Sequence, residues 1–169
     1  MHVKEILTTV SSLFLLSTTI HATIVVTIHS TKLGHKKLGE IIFENKSSGL
    51  EILPKLSDLP PGMHGFHIHA NPSCDNKGMA AGGHYDPHKT EKHFGPFYAN
   101  SHLGDLPALS VDKKGIANHS SFAPRLTEDA LYGHAVVIHE GGDNYSDSPR
   151  PLGGGGARIA CGVIEKKPG

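Results

Sequence analysis

Residues 64–69 read His-Gly-Phe-His-Ile-His, and residues 82–87 read Gly-Gly-His-Tyr-Asp-Pro. In an extended strand neighbouring side chains point to opposite faces, so His67 and His69 share one face while Phe66 and Ile68 take the other. The first string is therefore a strand with an apolar side for a core and an imidazole side for chemistry. His84 follows in the second string, then His93 and His102, and the run closes on His102-Leu103-Gly104-Asp105. Imidazole suits copper and zinc alike, and one carboxylate added to histidines suits zinc, so the region offers donors to two borderline metals. A lone His-x-His is a weak signal; histidines threaded through Gly and Pro turns to a terminal Asp form a ligand constellation.

On either side the pattern is that of short strands. Residues 23–29, rich in Ile, Val and Thr, predict a first strand; residues 39–44 predict its hairpin partner, and a third strand follows Gly49. Residues 53–62 hold Pro54, Pro60 and Pro61 and predict a crossing connection rather than a central strand. Residues 63–69 then form the strand that presents His67 and His69. From 70 to 109 periodicity is lost among Gly, Pro, His and Asp, a length uncommon in a compact domain unless it is functional; metal bonds can supply the order that secondary structure does not. Strand signals resume at 109–111 and 116–122. Residues 133–139 alternate and end on His139, residues 141–156 form a second long loop, and residues 158–164 close the chain as a strand. The expected fold is all-β: an antiparallel Greek-key sandwich or barrel with two long functional loops and no helix beyond a turn or two.

A chain of 169 residues has room for one domain with a sizeable core. Lys+Arg and Asp+Glu both number 16, so bulk charge points to no nucleic-acid or acidic-membrane partner. Residues 1–22 differ from the rest: Lys4, an apolar, hydroxyl-rich run from Ile6 to Ile20, then Ala22. This predicts a secretory signal peptide cleaved after Ala22, too short for a comfortable membrane span, leaving residues 23–169 as the domain with no membrane attachment. The only cysteines are Cys74 and Cys161. In an oxidising compartment such a pair predicts one disulfide, with two buried thiols as the alternative.

Residues 65–69, 83–87, 102–106, His139-Glu140 and Gly156-Ala157-Arg158-Ile159-Ala160-Cys161-Gly162-Val163 together resemble the copper/zinc superoxide dismutases, across residues 23–169 and in the family's order. The wording of residues 141–147 and 153–156 is similar to the bacterial periplasmic branch, which implies a periplasmic location. The resemblance implies His67, His69, His84 and His139 as copper ligands and His84, His93, His102 and Asp105 as zinc ligands, one ion of each per subunit, with His84 bridging. It implies Asp143 as the carboxylate that holds the outer nitrogens of His67 and His93, Arg158 as the guanidinium that docks the anion, and Cys74 with Cys161 as the disulfide. The implied reaction is superoxide dismutation by copper redox cycling, with His84 taking up and returning a proton and zinc as the structural partner. Monomer and homodimer both stay open. The glycine run before Arg158 lacks the lysine some members use to steer substrate, so steering is expected from Lys89 or Lys92. His29, His35, His64, His88, His119 and His134 match no ligand position and read as surface or packing residues. The competing function is a secreted copper or zinc buffer that never turns over, which gives Arg158 no role. A non-haem iron oxygenase fits poorly, since it needs two histidines, one carboxylate and no bridge.

Overall fold

The computed structural model describes residues 23–167, so the signal-peptide reading of residues 1–22 lies outside them. The strands are β1 (Thr23–Ser30), β2 (Lys37–Lys46), β3 (Gly49–Leu56), β4 (Gly62–His64), β5 (Phe66–His69), β6 (Leu109–Val111), β7 (Ser121–Ala123), β8 (His134–His139) and β9 (Arg158–Ile164). Seven form one antiparallel sheet in the order β5-β8-β9-β1-β2-β3-β7, curled into a half-barrel, and β4 pairs with β6 in a second ladder. The expected all-β antiparallel fold is thus present. Alternation sorts the first strands: Ile24, Val26 and Ile28 of β1 and Ile41 and Phe43 of β2 point into the core with Leu50 and Ile52 of β3. Helical turns among the described residues are two short 3-10 segments, Met79–Ala81 and Leu152–Gly154.

Three local expectations need correction. β3 continues through Pro54, which pairs opposite Ile41 of β2. Leu56 bonds outward to Ala117, and by alternation the Pro54 nitrogen faces the same way. β7 pairs only with Leu50 to Ile52 there, so Pro54 sits in a gap where no donor is needed. The single strand expected over residues 63–69 splits at Gly65, because His64 pairs with Leu109 of β6 while Phe66 pairs with Ile138 of β8. The strand expected over 116–122 is only β7, preceded by an isolated bridge at Ala117.

The pairing of β5 with β8 decides where chemistry can occur. Phe66 opposite Ile138 and Ile68 opposite Val136 face the main core, whereas His67 opposite Val137 and His69 opposite Ala135 face outward. Outside, Ala135 and Val137 pack with Ala81, Cys161 and Cys74 in a small second cluster. The imidazoles therefore stand on the barrel's outer wall, and the long loop covers them. It does so by pairing with the open edge of β5: Ile68 N–H donates to Gly104 O at 2.8 Å and Tyr85 N–H to Ile68 O at 2.9 Å. Approach this close requires a glycine, since a Cβ on Gly104 would collide with Ile68 O.

Candidate metal centre

His67, His69, His84, His93, His102, His139 and Asp105 are all buried, each 7% exposed or less. So many polar groups leave water only if each finds a partner. His139 reaches the group through a register shift between Ile138 and His139, a bulge that re-aims the side chain at the strand end.

Hydrogen bonds fix the tautomers. His67 Nε2–H donates to Asp143 Oδ2 at 2.8 Å, so Nδ1 carries the lone pair; it is buried with no hydrogen-bond partner. His69 Nδ1–H donates to Gly82 O at 2.9 Å and His139 Nδ1–H to Gly156 O at 3.2 Å. The two Nε2 atoms then oppose each other as lone pairs 3.4 Å apart, a contact that no hydrogen bond explains and a shared cation does. One ligand atom from each of His67, His69, His84 and His139 lies within 4.8 Å of the others. Burial pushes His67 down to about 3 and His139 to about 4, and holds His69 far below the usual imidazole range, so all three are neutral and free to donate.

On the other side, three nitrogens converge on one oxygen. His84 Nδ1 and His93 Nδ1 lie 3.0 Å from Asp105 Oδ1, and His102 Nδ1 lies 3.4 Å from it. Burial alone would raise the Asp105 carboxyl, but the nearby imidazoles of His102, His84 and His93 and the Ser101 hydroxyl outweigh it and hold it well below the usual carboxylate range, so the group is ionised. A second group of donors whose ligand atoms all lie within 4.8 Å of one another contains His67, His84, His93 and Asp105 rather than His102. His67 enters it because its ring stacks on His84 at 3.9 Å, yet His67 has one free nitrogen and can serve one ion. His102 Nδ1 is buried and lacks a partner, so it has the same need for a cation as the rest. Four imidazoles on one side and three imidazoles with a carboxylate on the other fit copper and zinc respectively.

Asp143 ties the two sides together, accepting from His67 Nε2 through Oδ2 and from His93 Nε2 through Oδ1, both at 2.8 Å. A Cβ on Gly153, at φ 73°, would strike Asp143 Oδ1 and come within 2.7 Å of His93 Nε2. Arg158 donates from Nη1 to Gly78 O and from Nη2 to Gly82 O, both at 2.6 Å. With His69, His84 and His139 it lines a cavity of about 360 Å³. Arg150 lines the same cavity, which the sequence reading did not single out, whereas Lys89 and Lys92 do not. Cys74 and Cys161 form a disulfide.

His29, His35, His88 and His119 are exposed, and His134 is half-buried. His64 is different. Its two ring nitrogens lie 2.8 Å from His139 O and 2.7 Å from Pro60 O, so one buried imidazole pins the backbone of a central histidine to the connection before β4. Its place beside Gly65-Phe66-His67 was the only hint in the sequence. Ser101, adjacent to His102, was likewise missed; its hydroxyl donates to Asp105 Oδ2 at 2.6 Å.

A sequence model of the family described as copper/zinc superoxide dismutase (SODC) matches residues 37–164. The chain is 54% identical over 138 residues to the Cu-Zn superoxide dismutase of Photobacterium leiognathi, covering 77% of this chain and 80% of that one. Among solved structures, the Cu/Zn superoxide dismutase from Brucella abortus superposes with a TM-score of 0.80 at 42% identity, over 85% of this chain and 100% of that one. The monomeric copper, zinc superoxide dismutase from Salmonella enterica gives 0.72 at 47% identity, over 85% and 100%.

Proposed function

The chain belongs to the copper/zinc superoxide dismutase family, and from that premise we propose that His67, His69, His84 and His139 hold copper, that His84, His93, His102 and Asp105 hold zinc, and that His84 is shared. The protein is an oxidoreductase that converts superoxide to dioxygen and hydrogen peroxide. Copper, when bound, supplies the one-electron couple that takes an electron from one superoxide and gives it to the next, while zinc is structural.

The chain's own residues do the rest. Arg158 meets the anion as a guanidinium whose orientation two backbone carbonyls already dictate, so docking costs little reordering. His84, with Nδ1 turned to Asp105, would offer Nε2 to copper in one half of the cycle and hold a proton there in the other, giving that proton to the departing peroxide while water supplies the second. Asp143 keeps His67 and His93 in one orientation each.

The observation that carries the division of the site is the pair of opposed Nε2 lone pairs on His69 and His139. The test is superoxide decay by pulse radiolysis on residues 23–169 loaded with both metals and assayed for metal content. The expected result is catalytic decay near the diffusional ceiling, which superoxide dismutase is itself an established example of reaching. Full occupancy of both metals without turnover would replace the enzyme with a buffer.

Residues 1–22 act as a signal peptide that sends the chain to the periplasm; the Cys74–Cys161 disulfide supports an oxidising compartment, and the relatives named are bacterial. N-terminal sequencing of protein from a periplasmic extract should begin at Thr23. Self-association is supported by an exposed aromatic patch, in which Phe97 and Tyr98 are 67% and 64% exposed beside Phe94 and Tyr145. Light scattering should give a dimer mass that falls to a monomer on Phe97→Ser; a monomer in the parent, like the Salmonella enterica relative, rejects it.

A further inference from the structure

Asp105 is held from behind by a residue outside the ligand set. Ser101 is fully buried, and its hydroxyl oxygen accepts from Phe94 N–H at 2.6 Å. Its one proton has two acceptors within reach, Asp105 Oδ2 at 2.6 Å and Lys92 O at 3.3 Å. The nearer, ionised acceptor takes it. Oδ2 is thereby occupied, and Oδ1 alone faces His84, His93 and His102.

Ser101 is in turn clamped. Its carbonyl accepts from Arg125 Nη2 at 2.6 Å, and Arg125 lies just past β7 on the body of the barrel. The loop that carries His93 and His102 is therefore tied to the sheet through the same residue that orients the carboxylate. Because Arg125 is a planar cation, its bond to the Ser101 carbonyl also fixes a direction, which a flexible lysine would not.

We propose that Ser101 and Arg125 are positioning residues that set the metal specificity of the zinc side: Ser101 restricts Asp105 to a single ligating oxygen, and Arg125 holds Ser101 in place. The chemistry follows from carboxylate coordination. A carboxylate free to rotate can offer both oxygens, which raises the coordination number and suits harder, oxygen-seeking ions. With one oxygen withdrawn, three imidazoles and Oδ1 make the four-donor tetrahedral set that zinc favours. This inference rests on the zinc-side reading of His84, His93, His102 and Asp105.

Cobalt(II) in the zinc position of the copper-loaded chain reads the geometry directly, because tetrahedral cobalt absorbs visible light far more strongly than five- or six-coordinate cobalt. The parent should show the tetrahedral spectrum, and Asp105→Ala should abolish it. Ser101→Ala should weaken the visible bands and lower zinc affinity, measured by chelator competition, about 10- to 100-fold, as for other residues that orient metal ligands. Ser101→Thr keeps the hydroxyl and should restore the spectrum. Arg125→Gln should lower affinity while leaving the tetrahedral bands, since the hydroxyl remains. A Ser101→Ala chain with parental spectrum and parental affinity overturns the proposal. A parent without the tetrahedral spectrum, or one unchanged by Asp105→Ala, sinks the ligand reading first and this inference with it.

Discussion

Two arginines line the cavity beside His69, His84 and His139, and they differ in their bonding. Arg158 is committed to Gly78 O and Gly82 O, while Arg150 is exposed in the loop before the glycine run. An exposed surface cation acts mainly on encounter, and its influence fades once ions screen it. Arg150→Ser should therefore slow superoxide consumption roughly threefold at low ionic strength and hardly at all in molar salt. Pulse radiolysis across salt concentrations checks this, and a salt dependence equal to the parent's returns the steering role to Lys89 or Lys92. Asp143 makes a second prediction. Its two oxygens accept from two imidazoles, but the amide introduced by Asp143→Asn has a single acceptor oxygen and must turn its NH2 toward the other N–H. Zinc affinity should fall about 10- to 100-fold, seen as zinc lost to a chelator while copper stays; equal retention in both chains rejects the coupling. At this scale the ligand candidates were legible because histidines at strand and turn positions announce themselves. His64 and Ser101 were not, because they act on a backbone carbonyl and a carboxylate oxygen that only the folded chain brings within reach.

Among the elements, the disulfide loop does more than staple. Cys74 joins it to Cys161 on β9, the strand that begins with Arg158, and residues 78 and 82 of the same loop supply the carbonyls that hold the guanidinium. Gly82 O also accepts from His69 Nδ1. Replacing both cysteines by serine removes a cross-link spanning 87 residues, which on chain-entropy grounds is worth about 4.6 kcal/mol. Urea unfolding of the metal-loaded double variant should show that loss. Its rate at full metal occupancy should also fall, since Arg158 loses a firm seat; an unchanged rate would make the loop a staple only. Strand β1 was readable from its Ile, Val and Thr content and β8 from alternation, both of which are local. The break at Gly65 was not, because the choice between β6 and β8 as partner is made by residues distant in the chain. Pro54 misled for a related reason: whether its missing donor matters depends on how far β7 extends.

The whole molecule carries an electrostatic cost for gathering so many imidazoles, and pH exposes it. Without metals, burial holds His67 at about 3 and His139 at about 4, against roughly 6.5 in the unfolded chain. Between pH 6.5 and 4 the unfolded chain therefore binds protons that the folded chain refuses, so stability is lost as pH falls through that window. His93 runs the other way. Burial would lower it, but Asp105 and Asp143 raise it to about 9. Its contribution is complete below 6.5 and is lost as pH rises toward 9. The metal-free chain should accordingly melt at its highest temperature near pH 6.5, with a limb falling on each side. Bound metals require neutral imidazoles and ionised carboxylates, so His93 no longer holds a proton to release. Loading should then flatten the alkaline limb while the acid limb survives as protons displace metal. Melting curves of chelator-treated and metal-loaded protein from pH 4 to 9 make the comparison, and a metal-free chain whose stability stays level from 6.5 to 9 would falsify the role given to His93 between its two carboxylates.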